Sequence, residues 1–81
     1  MAKILVVDDD ELFRELLCTS VARHGHEALA AGTLAQARRL AARAGVDVVY
    51  LDVRLPDGSG ALAIEELRAG KDPPEVIIVT G

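Results

Sequence analysis

Three short runs of β-branched and other apolar residues punctuate this chain: Ile4–Val7, Val46–Leu51 and Val76–Val79. Runs this short, bounded by turn residues, fit strands, and their near-continuous apolarity fits burial on both faces of a parallel sheet. Between them the period becomes helical. Phe13, Leu17 and Val21 recur every fourth position with Leu16 beside them, so Glu11 to His24 reads as a helix, with Asp10 to cap its start and Gly25 its end. Leu34, Ala37, Leu40, Ala41 and Ala44 form the apolar face of a second helix, opened by Thr33 with Gln36 at capping-box spacing and closed by Gly45. Arg38, Arg39 and Arg43 lie mostly off that face, as a solvated stripe. Ala61, Ile64 and Leu67 mark a third helix, with Ser59 as its cap and Gly70 at its end. Glu27–Ala31 is weakly patterned; its place between two helices makes it a strand. Pro73 and Pro74 make the next stretch a loop, and Glu75–Thr80 is the fourth strand. The order βαβαβαβ predicts an α/β fold, a doubly wound parallel sheet with right-handed crossovers.

With 81 residues the chain makes a single domain, 1–81. Half the residues are apolar (51%) and only 2% aromatic, so the core must be built from Leu, Val, Ile and Ala. A net charge of −4 argues against direct nucleic-acid binding, which needs a basic patch. The single cysteine, Cys18, excludes an internal disulfide and suits a reducing, cytoplasmic setting, where it reads as a small core residue. No apolar run approaches the ~20 residues of a membrane helix, and Met1-Ala2-Lys3 leads straight into a strand without a signal-peptide pattern. His24 and His26 flank a helix end and read as capping or exposed residues, not metal ligands.

The strand ends carry the chemistry. In an open α/β sheet, ligands bind outside the carboxyl ends of the strands. The first run ends in Asp8 and Asp9, the third strand in Asp52, the fourth in Thr80. All lie on one sheet edge, so Asp8, Asp9 and Asp52 can converge across more than forty intervening residues. Clustered carboxylates raise one another's pKa or recruit a cation. Mg²⁺ suits all-oxygen ligands and bridges carboxylate to phosphate. Asp52 is then placed to take a phosphoryl group as an acyl phosphate, and Thr80 to donate a hydrogen bond to it. Plainer roles remain for the neighbours. Asp8 and Asp9 suit a turn and helix cap, Asp10 and Glu11 suit the first turn of a helix dipole, and Asp57 reads as a solvated turn residue. Pro56, Gly58 and Gly60 shape the loop, and Gly58-Ser59-Gly60 is no P-loop, which requires G-x-x-x-x-G-K-[ST].

Several features together resemble the receiver domain of bacterial two-component response regulators. They are Val6-Val7-Asp8-Asp9, the aspartate ending the third strand, the Asp52-x-x-x-Pro56-x-x-x-Gly60 spacing, and Val79-Thr80-Gly81. Leu55-Pro56-Asp57-Gly58-Ser59-Gly60 and Val76–Gly81 are similar to receivers of σ54-activator (NtrC-type) regulators. The resemblance implies a flavodoxin-like (CheY-like) sheet with strand order 2-1-3-4 and Asp52 as phosphoacceptor. It implies Mg²⁺ held by Asp9, Asp52 and the backbone carbonyl of Arg54, with Asp8 binding through water, and Thr80 as the switch hydroxyl. It implies a sensor histidine kinase as phosphodonor and an effector domain as output, with no enzymatic activity beyond the domain's own phosphorylation.

Family members are longer: the fifth strand, with its lysine, and the last two helices are not found in this sequence. Lys3 and Lys71 do not occupy that lysine's position. The chain is therefore expected to be the N-terminal two-thirds of a typical receiver. Its fourth strand, apolar on both faces, is expected to form an open edge that pairs or swaps into a homodimer. The alternative function is a receiver-like interaction module that is not phosphorylated. Asp8-x-Asp10 is also faintly similar to the haloacid-dehalogenase nucleophile motif, but Leu12 stands where that family has Thr or Val. Acids rather than G-x-G-x-x-G after the first strand argue still more strongly against a dinucleotide-binding fold.

Overall fold

A computed structural model describes residues 1–52 and 54–79 of the chain; the side chains of Ala44 and Ala61 lie outside that description, as do Val53, Thr80 and Gly81. The elements are β1 (Lys3–Val7), α1 (Glu11–Arg23), β2 (Glu27–Ala31), α2 (Leu34–Ala44), β3 (Val48–Asp52), β4 (Arg54–Leu55), β5 (Gly58–Ser59), α3 (Gly60–Leu67) and β6 (Glu75–Val79). The main sheet is parallel, in the order β2-β1-β3-β6, which is the expected 2-1-3-4 with β6 as the fourth long strand. A short antiparallel pair, β4–β5, follows β3, where the sequence pattern predicts only a loop. Helix α3 ends at Leu67, earlier than Gly70, and Ser59 lies in β5 immediately before its start.

Handedness places the helices. The crossover from β1 to β2 runs one way along the sheet, and those from β2 to β3 and from β3 to β6 run the other. Right-handed connections then put α1 on one face and α2 with α3 on the opposite one. Strand alternation divides the core accordingly. Leu5, Val7, Val49 and Leu51 join Leu34, Ala37, Ala63 and Leu67 in a buried cluster beneath α2 and α3. Ile4 and Val6 point the other way, and of α1 only Val21 is fully buried. The expected apolar stripe of α1 is thus only partly used: Phe13 is 40% and Leu16 62% exposed, as is Leu12 at 67%. Among the described residues β6 pairs with β3 alone, and Ile77 and Ile78 on it are 44% and 50% exposed.

Caps follow the sequence closely. Asp10 accepts from the Phe13 N–H at 3.2 Å and Thr33 from the Gln36 N–H at 3.2 Å. The Gln36 side chain reaches back one residue further than a capping box, to the Gly32 N–H at 2.8 Å. Gly45 ends α2 in the left-handed conformation (φ 64°) that favours glycine. Arg38 is not simply solvated: it forms a two-pronged ion pair with Glu66 (2.7 and 3.1 Å), joining α2 to α3. His26 is not free: its Nδ1 accepts from the Ala2 N–H at 2.9 Å. Cys18 is half-buried, and burial pushes its thiol pKa up, away from reactivity.

Candidate functional site

Registration of β1 against β3 builds the site. Val7 pairs with Leu51, so the next step along both strands sets Asp8 beside Asp52 on the α1 face. The Asp8 N–H continues the ladder to the Ala31 carbonyl at 3.1 Å. One carboxylate oxygen from each of Asp8, Asp9 and Asp52 falls within 4.8 Å of the others. Two opposite oxygens on an octahedral Mg²⁺ lie about 4.2 Å apart, so small adjustments would seat a hard cation on this all-oxygen set. The three differ in burial: Asp8 is buried, Asp52 half-buried and Asp9 exposed. They open into a cleft of about 550 Å³ lined also by Asp10, Phe13, Arg54 and Val79.

Local hydrogen bonds orient the acids. Asp8 Oδ1 accepts from the Asp10 N–H at 2.9 Å, and Asp52 Oδ1 from the Arg54 N–H at 3.1 Å. Burial raises the Asp8 pKa above the ordinary carboxylate value; its bond from Asp10 opposes that, and the charges of Asp52, Asp9 and Asp10 add to the rise. A cation here would relieve the strain of three neighbouring acids. Thr80 lies outside the described residues.

Two residues that matter to this edge escaped the sequence reading. Arg14 donates from Nη1 to the Asp8 backbone carbonyl at 2.8 Å, tying α1 to the acidic loop. Asp57 is exposed but not a free turn residue: its carboxylate accepts from the Leu34 N–H at 2.8 Å and the Ala35 N–H at 3.0 Å, across the chain at the start of α2. Those bonds hold its pKa below the ordinary value. A solvated turn was the natural expectation because nothing near Asp57 in the sequence points to Leu34, and Thr33 already supplies a cap there.

An open parallel sheet with an oxygen cluster beyond the β1 and β3 tips, where the strand order reverses, defines a flavodoxin-like α/β protein with its site at the topological switch point. Within that class, residues 4–81 match the response regulator receiver domain, and the chain belongs to this family. It is 37% identical over 84 residues to the transcriptional regulatory protein AruR of Pseudomonas aeruginosa, covering 98% of this chain and 34% of AruR. Regulatory protein AtoC of Escherichia coli, an NtrC-type regulator, is 36% identical over 78 residues, 96% of this chain and 17% of AtoC. The chain therefore spans about a third or less of these relatives. Among solved structures, the MaeR response regulator bound to beryllium trifluoride matches with a TM-score of 0.88 at 31% identity, covering 100% of this chain and 68% of that one.

Proposed function

We propose that this receiver domain accepts a phosphoryl group on Asp52 from the phosphohistidine of a sensor kinase and passes the signal to an effector domain. The observation that carries the reading is the convergence of Asp8, Asp9 and Asp52 within 4.8 Å at the mouth of an open cleft. Asp9, Asp52 and the Arg54 carbonyl would hold Mg²⁺, with Asp8 binding through water. When bound, that ion supplies positive charge to offset the phosphoryl oxygens. The Asp52 carboxylate, oriented by the Arg54 N–H at 3.1 Å, forms a new O–P bond as the donor's P–N bond breaks; the electron pair stays on the imidazole, which takes up a proton. Asp8 and Asp9 keep the site anionic and cation-dependent. Thr80 is proposed as the hydroxyl that then bonds the phosphoryl group. The beryllium trifluoride bound by the MaeR regulator is a tetrahedral stand-in for a phosphoryl group once attached to an oxygen, and supports the same chemistry here.

The test is acetyl phosphate with and without Mg²⁺, read by intact mass. Gain of one phosphoryl mass that needs both Mg²⁺ and Asp52, and is lost in Asp52→Asn, is the expected result. A folded chain that gains nothing overturns the reading.

A second reading, self-association through the β6 edge, is favoured by the exposure of Ile77 and Ile78 on a strand that pairs on one side among the described residues. Light scattering tests it: a monomer at high concentration excludes it.

A further inference from the structure

A two-stranded pair is marginal unless it packs on something else. β4 and β5 have two residues each, yet β4 carries Arg54, whose N–H holds Asp52. Three contacts seat this hairpin. Leu55 is buried in the same cluster as Leu34. Gly58, at φ 153°, lies so close to Leu34 that an added Cβ would meet its Cδ1 at 3.0 Å. Between them, Asp57 spreads its carboxylate over the N–H groups of Leu34 and Ala35, at 2.8 and 3.0 Å. Such bonds are charge-assisted and favoured by the helix dipole. The start of α2 does not depend on them alone, because Thr33 caps it locally. What Asp57 adds is a link across 22 to 23 residues, from the loop after Asp52 to the far helix.

We propose that Asp57 is a positioning residue for the acidic site: it clamps the β4–β5 hairpin onto α2 and so fixes the turn in which Arg54 holds Asp52. The consequence for metal binding rests on the Mg²⁺ reading above; the clamp itself is measurable without metal. Arg54 is exposed at the cleft and has no burial of its own to fix it, so the hairpin's seating must do so.

The experiment is ¹⁵N relaxation on the metal-free full chain, comparing wild type with Asp57→Ala, Asp57→Asn and Thr33→Ala. In Asp57→Ala the amides of Arg54, Leu55, Gly58 and Ser59 should fall from the rigid order parameter of about 0.85 towards about 0.6. Asp57→Asn, which keeps one acceptor oxygen, should lie between. Thr33→Ala weakens the same helix start without touching the hairpin and should leave those amides unchanged. Magnesium titration by calorimetry should show about tenfold weaker binding in Asp57→Ala, as for loss of an outer support. Unchanged order parameters in Asp57→Ala, or an equal fall in Thr33→Ala, overturn the proposal. If Asp57→Ala does not fold, loosening in Asp57→Asn but not in Thr33→Ala supports the clamp, and the converse overturns it. A wild type that binds no Mg²⁺ while Asp57→Ala still loosens the hairpin removes the metal reading and leaves the clamp standing.

Discussion

The two faces of the sheet are unequal. Beneath α2 and α3, Leu34 and Ala37 meet Leu5, Val7, Val49 and Leu51 in a closed core. On the α1 face, Ile4, Val6 and Val21 are buried, but Leu12, Phe13 and Leu16 stand open to solvent. The same asymmetry reaches the carboxylates at the head of each face. Asp57, at the start of α2, is held ionised by two backbone N–H groups, whereas Asp8, ahead of α1, is pushed towards its neutral form by burial and by neighbouring acids. One face is built mainly for packing; the other carries an acidic cluster in which burial and like charge disfavour the ionised form of Asp8.

The largest expected effect tests the packing difference. Leu34→Ala should cost about 2–5 kcal/mol in urea unfolding, since it empties a fully buried position, while Leu16→Ala on the open face should change stability by about 0.5 kcal/mol or less. Equal losses would show that the α1 face is covered in solution, which would break the comparison.

Next comes the ion. Mg²⁺ at tenfold its dissociation constant should stabilise the wild type by about 1.4 kcal/mol and leave Asp52→Asn almost unmoved; EDTA should reverse the gain. A thermal shift of the same size in both proteins would place the ion elsewhere.

The acids give two smaller effects of opposite sign. The raised pKa of Asp8 means that the folded state holds this proton more tightly. The stability from it is full below the ordinary carboxylate pKa and is lost as pH rises through the folded value. Asp8→Asn should therefore flatten the fall in metal-free stability between that ordinary value and neutrality. The lowered pKa of Asp57 works the other way. Its contribution is present above the ordinary carboxylate value and lost as pH falls through the folded one. Asp57→Asn should weaken the acid limb of the stability curve, with little change in its slope above pH about 5. Denaturant midpoints across pH check both, and a single shared slope would merge the two faces electrostatically.

What the sequence determined by itself was the periodicity and the chemistry at strand ends. Short apolar runs alternating with helical spacing called for a parallel sheet with right-handed crossovers, while the strand order 2-1-3-4 followed only from the resemblance to receiver domains. Asp8, Asp9 and Asp52 were legible for the same reason: in a parallel sheet, residues ending different strands must share an edge. The local caps at Asp10 and Thr33 were legible because capping acts within a few residues. Tertiary structure alone decided the contacts that span the chain. Asp57 reaches Leu34 and Ala35 only because the loop after β3 folds back as a hairpin over α2, and no local pattern records that approach. Arg14 reaches the Asp8 carbonyl, at 2.8 Å, because the fold brings the start of α1 over the end of β1. Phe13 and Leu16 obey the helical period yet remain exposed, since a period says which residues share a face but not whether anything lies against it.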